Sequence, residues 1–102
     1  MKKFTLYLGL NDKDTKVQKI STLEAYKIVT NLLMGYTDGA TIYETDGIYK
    51  HANGEIVIEK TLKIELLFVE RETVDGIIKD LKKIFNQESI ALQYENIISE
   101  LV

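Results

Sequence analysis

Glu59 and the Gln87-Glu88 pair are the side chains of this sequence best suited to chemistry. Two carboxylates can share acid–base work when one is withdrawn from water and its pKa rises. Glu59 falls inside a run of alternating apolar residues, and Gln87-Glu88 stands just ahead of another. The same groups have a plain structural reading. Glu59 can pair across strands with Lys60 or Lys50, and Gln87-Glu88 can cap the start of a strand. Tyr7, Tyr43 and Tyr49 carry a polar tip on an aromatic body, which suits either a contact between copies or a ligand-lining role. His51 lies two residues from a turn, where a base lacks the orienting partner it needs, so it is read as exposed and without a role. Lys79, Lys82 and Lys83 read as a solvated helix face. The candidate ligand-binding residues are therefore Tyr7, Tyr43, Tyr49, Glu59, Gln87 and Glu88, with no catalytic and no metal-binding residue assigned.

Composition narrows the chemistry further. The chain has no cysteine, which excludes disulfides, thiolate metal sites and cysteine nucleophiles. A single histidine excludes a histidine cluster within one chain. Thirteen basic against 16 acidic residues give a net charge of -3, which argues against nucleic acid as a partner. No phosphate loop, HExxH, nucleophile elbow or EF-hand pattern occurs, so no cofactor is expected. No apolar run approaches the roughly 18 residues of a membrane span. Met1-Lys2-Lys3 precedes an apolar run that stops at Leu10, too short for a signal peptide, so a cytoplasmic location is expected. At 102 residues the chain is expected to form a single domain.

These side chains must be positioned by local elements. Residues 4–10 alternate, with Phe4, Leu6, Leu8 and Leu10 on one side, which predicts a strand. Residues 11–20 read as a loop. Ser21 through Glu24 forms a capping box ahead of a helix over 22–35, with Leu23, Tyr26, Val29, Leu33 and Tyr36 as its apolar stripe. Residues 40–52 and 55–69 read as extended arms around Asn53-Gly54, a strong hairpin turn. Thr73 is expected to cap a second helix ending near Asn86. Residues 89–94 predict a last strand, with Ile90, Leu92 and Tyr94 inward, and 95–102 a short amphipathic helix.

A two-residue turn at Asn53-Gly54 sets Ala52 opposite Glu55 and, in unbroken register, Ile42 opposite Glu65. That would put an apolar side chain on the polar face, because a slip of one residue flips every side chain. The register must therefore slip once, and Asp46-Gly47 is the expected place for a bulge. The order strand, helix, strand, strand, helix, strand is the ferredoxin-like split βαβ arrangement. The predicted architecture is α+β: an antiparallel four-stranded sheet, two helices on one face, a long bulged central hairpin and a short C-terminal helix. Its bare face, expected to carry Tyr7, Tyr43, Leu67, Val69 and Ala91, is read as too apolar to face water and as covered by a second copy.

Two resemblances follow from these residues. The stretch Gly39 to Gly47, with Lys63-Ile64-Glu65-Leu66-Leu67 and the Val74-Asp75 helix, resembles PII-like signalling proteins. That family's glycine-rich nucleotide loop has no counterpart in Phe85 to Ile90. Tyr7-Leu8-Gly9, Gly39-Ala40-Thr41, Gly47-Ile48-Tyr49, Gly54 to Glu59 and Gln87-Glu88-Ser89-Ile90 together resemble a small bacterial family of unknown function. The sequence departs from that family at Leu10, where an arginine is usual, and at Tyr49, where a tryptophan is usual. The resemblance implies a PII-like α+β fold and no activity. The functional expectation is a non-catalytic homo-oligomer, dimer or trimer, holding a small molecule or protein at the sheet face or hairpin. Two alternatives are an inhibitor or sequestering protein from a mobile element, and a cofactor-independent enzyme using Tyr and Glu residues in a cleft between subunits.

Overall fold

A computed structural model describes residues 1–102. The chain runs β1 (Lys2–Gly9), α1 (Thr22–Met34), β2 (Thr41–Lys50), β3 (Ile56–Leu66), α2 (Arg71–Ile84) and β4 (Ala91–Asn96). The strands form one antiparallel sheet in the order β2-β3-β1-β4. This is the ferredoxin-like βαββαβ fold.

Alternation decides which face the helices cover. Phe4, Leu6 and Leu8 of β1 lie opposite Leu66, Ile64 and Leu62 of β3, and all six are buried. Ala25, Val29 and Leu33 of α1 and Val74, Ile77 and Leu81 of α2 close on that layer, with Phe85 at its end. Each such aliphatic side chain contributes about 1.5–3 kcal/mol, so this one layer dominates stability. Leu23 and Tyr26, expected in the α1 stripe, are exposed. The stripe runs one step round the helix, through Ala25. Ser21 caps α1 as expected, its Oγ accepting the Glu24 N–H at 3.2 Å. α2 starts earlier than expected: Glu70, not Thr73, is its N-cap, without a side-chain bond. Where the chain leaves α1, the Tyr36 hydroxyl donates to Asp80 on α2, and Gly76 leaves room for the tyrosine ring.

The hairpin corrects the place of the slip but keeps its consequence. Ile42 pairs with Ile64, as the apolar face requires, and Gly47 pairs regularly with Glu59, so no bulge interrupts the strand there. The extra residue sits in the turn. The His51 N–H donates to Glu55 O at 2.8 Å and the Gly54 N–H to His51 O at 2.9 Å, with Gly54 at φ +87°. That is a three-residue loop with glycine in the left-handed position, which shifts the pairing by one residue relative to a two-residue turn. β1 pairs with β3 only as far as Gly9 and Thr61. Beyond that point β2 and β3 continue as a two-stranded arm, and the molecule measures 47 × 25 × 22 Å.

Two further expectations are corrected. Residues 97–102 form no helix; the Ile97 N–H bonds Met1 O, and the remainder runs without regular structure. The bare face is polar rather than apolar. Its cross-strand rows read Ala91, Tyr7, Lys63, Tyr43 and Gln93, Thr5, Glu65, Thr41. Lys3 Nζ meets Glu65 at 2.7 Å on that face. Leu67 and Val69 fall beyond β3, and Val69 packs against the core.

Candidate functional site

Four of the six candidate residues come together and two stay apart. Tyr7 and Tyr43 sit mid-sheet on the polar face, on either side of Lys63. The Tyr7 hydroxyl donates to Gln93 Oε1 at 3.0 Å. The hydrogen bond that Tyr43 donates to Glu65, and then that carboxylate's charge, raise the phenol's pKa, and Lys63 Nζ lies 5.3 Å from its ring centre. Hydrogen bonds from Lys3 and then Tyr43 hold the Glu65 carboxyl below its usual range. Both tyrosines are hydrogen-bonded to neighbours on the polar sheet face, away from the other four.

Tyr49, Glu59, Gln87 and Glu88 instead line one cleft at the base of the arm, together with Asn11 and Asp12. Glu59 is the best-determined of the four. Gly47 lies directly across β2 from it and contributes no side chain. Gly9 lies beneath it, and a Cβ there would stand 2.5–2.7 Å from the Glu59 carboxyl atoms. The chain keeps glycine at that position because the carboxylate fills its space. Glu59 Oε2 accepts the Asn11 N–H at 2.8 Å, a charge-assisted bond that fixes the side chain at the strand end. Glu59 is half-buried, whereas Glu88 is exposed. Tyr49 is on the same side of the arm, where partial burial and then the Glu59 charge raise its pKa. His51 packs edge-on against the Tyr49 ring at 5.4 Å.

The opposite wall is a loop stapled to the α2–β4 turn. Asp12 is buried; its Oδ2 accepts the Asp14 and Thr15 N–H groups at 2.9 and 3.0 Å, and its Oδ1 accepts Asn86 Nδ2 at 2.9 Å. Those bonds, the Thr15 and Asn86 ones foremost, hold its carboxyl far below the usual range. Asn86 adopts φ +49°, a conformation asparagine tolerates better than most residues. Gln87 Nε2 donates to Asn11 O at 2.6 Å, which brings Gln87 to the cleft. Asn11, Asp12 and Asn86 were not singled out from sequence, and Gly9 only as part of the Tyr7-Leu8-Gly9 string. Asp12 with Thr15 is the Asx-turn spacing that could have revealed the first staple.

The cleft measures about 600 Å³, within the range of small-molecule sites. Asp12, Glu55, Glu59 and Glu88 line it together with Lys13 and Lys16, so its chemistry is that of hydrogen-bond acceptors with a minority of cations. No three His, Cys, Asp or Glu side chains stand close enough to hold a metal.

A family model for a protein of unknown function, DUF3574, matches residues 3–99. The chain belongs to that family. No curated protein matches it. Among solved structures, this DUF3574 chain is similar to a phage SAM lyase in complex with S-methyl-5'-thioadenosine, at 21% identity and TM-score 0.66, over 92% of this chain and 79% of that one. It is similar to the periplasmic divalent cation tolerance protein CutA of Archaeoglobus fulgidus, at 16% identity and TM-score 0.61, over 99% and 88%. It is also similar to CutA1 of Pyrococcus horikoshii, at 16% identity and TM-score 0.57, over 96% and 86%. At these identities the likeness is one of fold, and it agrees with the PII-like architecture read from the sequence. No helix is long and apolar enough to cross a membrane.

Proposed function

We propose that this protein is a homo-oligomeric module, working in the cytoplasm, that holds a small polar ligand in the cleft at the base of the arm. One observation carries the reading: Glu59 is seated over Gly9 and bonded to the Asn11 N–H, with Tyr49 and Gln87 lining the same cleft. A half-buried, immobilised carboxylate beside a phenol and a primary amide suits a ligand rich in hydrogen-bond donors, such as ribose hydroxyls or an amine. The exposed apolar arm supports assembly, because isolated two-stranded ribbons are marginal alone. S-methyl-5'-thioadenosine, the molecule held by the phage SAM lyase, is the first probe. Calorimetric titration should show binding to the native chain, weakened at least tenfold in Glu59→Gln and in Tyr49→Phe. Equal affinity in all three would overturn the assignment of this cleft.

A second reading is a cofactor-independent enzyme, favoured by the placement of Tyr49 and half-buried Glu59 in one cleft. In it Glu59 takes a proton and Tyr49 donates a hydrogen bond to the substrate. Incubation with S-adenosylmethionine distinguishes the two: release of S-methyl-5'-thioadenosine that Glu59→Gln abolishes favours the enzyme, and an unconsumed substrate favours the binding module.

A further inference from the structure

Two apolar surfaces of this chain lack cover, and they lie at opposite ends of it. The first is one face of the arm. Ile48, Ile56 and Ile58 point to the same side and are 70%, 64% and 66% exposed. They continue the row that α1 and α2 cover lower in the sheet, but the helices do not reach them. The second is the C-terminal tail, where Ile98 and Leu101 are 95% and 91% exposed and Val102 is fully exposed. The tail starts beside Met1, and Leu101 lies near Leu67 and Phe68. That is the far end of β3 from the arm. At about 3.3 Å per residue the eleven residues of β3 separate the two surfaces by roughly 30 Å, so they cannot cover each other within one molecule.

We infer that the tail of one copy covers the isoleucine face of the arm of another. The inference rests on the homo-oligomeric reading above and names the surfaces that make the contact. Area supports it. The six residues expose on the order of 900 Å², so a two-fold pair, whose single interface holds two such contacts, clears the roughly 1,000 Å² a specific interface needs. Charge supports it as well. Lys50 pairs with Ile56 on the arm and makes no ion pair of its own, while Glu100 lies between Ile98 and Leu101 on the tail. The contact joins different surfaces, so it forms twice in a two-fold pair or once per neighbour in a closed ring. It also brings the partner's tail to the rim of the Glu59 cleft, which Ile56 and Ile58 line.

The chain has no cysteine, so single thiols can be placed at will on exposed positions. Ile58→Cys and Leu101→Cys copies, co-expressed with different tags, are treated with a short bis-maleimide, and their assembly is followed by light scattering. The expected result is a linked species carrying both tags, at least fivefold more abundant than from either variant alone, and dissociation on introducing Ile58→Asp. Equal linking of Ile58→Cys to itself means arm meets arm and overturns the inference. Absent linking in a protein that still scatters as an oligomer also overturns it, while leaving the oligomeric reading intact. A monomer at tens of micromolar overturns both.

Discussion

Glu59 depends on an absence, the missing side chain of Gly9. The expected cost of Gly9→Ala is about 1–3 kcal/mol, since the new methyl must displace a carboxylate 2.5 Å away or the strand beneath it. Glu59→Ala in the same background should recover part of that loss, because the space is then free; urea unfolding of the single and double variants measures the coupling. Asp12 makes a different prediction. Its folded pKa is depressed by the Thr15 and Asn86 bonds, so its contribution is complete above the ordinary aspartate pKa near 4 and is lost as pH falls below it. Thermal melts of the native chain should decline below about pH 4, and Asp12→Asn should lie lower at neutral pH and flatten that decline. At this scale the sequence drew attention to Glu59 and Tyr49, because acids and aromatics inside apolar runs stand out, and the fold sets both beside Gln87 in one cleft. The sequence was not legible for Asn11 and Asn86, whose roles exist only once loop and turn are side by side.

The elements were legible where periodicity was clean. The β1 and β3 rows, the Ser21 cap and the βαββαβ order all follow from spacing and end residues. The hairpin shows why boundaries are harder. The alternation of Ile42 and Ile64 demanded one slip, but two mechanisms supply it, a strand bulge or a longer turn, and alternation cannot tell them apart. Gly54 at φ +87° is the residue that chooses. Gly54→Ala should therefore destabilise by about 1 kcal/mol through the left-handed penalty, whereas Gly39→Ala, with open space around it, should have little effect; paired chemical denaturation curves check this. The C-terminal segment was misread for a related reason. Its apolar spacing fits a helix over 95–102, but eight residues lack the length to hold one without tertiary support; the first two extend β4, and the rest finds little within its own chain.

For the whole molecule, the sheet's bare face was expected to be the apolar surface that drives assembly. It is instead a lattice of Thr, Lys, Glu and Tyr, because odd positions of β1 and β3 are polar wherever even ones are buried. The unpaired apolar surface lies on the arm, above the helices, where sequence alternation looks identical but nothing packs against it. This moves the expected recognition site from the centre of the sheet to its end. The most direct measurement is backbone amide NMR of the native chain titrated with S-methyl-5'-thioadenosine. Shifts should centre on Gly9, Asn11, Tyr49, Glu59 and Gln87 and vanish in Glu59→Gln. Shifts centred on Tyr7, Lys63 and Tyr43, or unchanged by that substitution, would contradict the account.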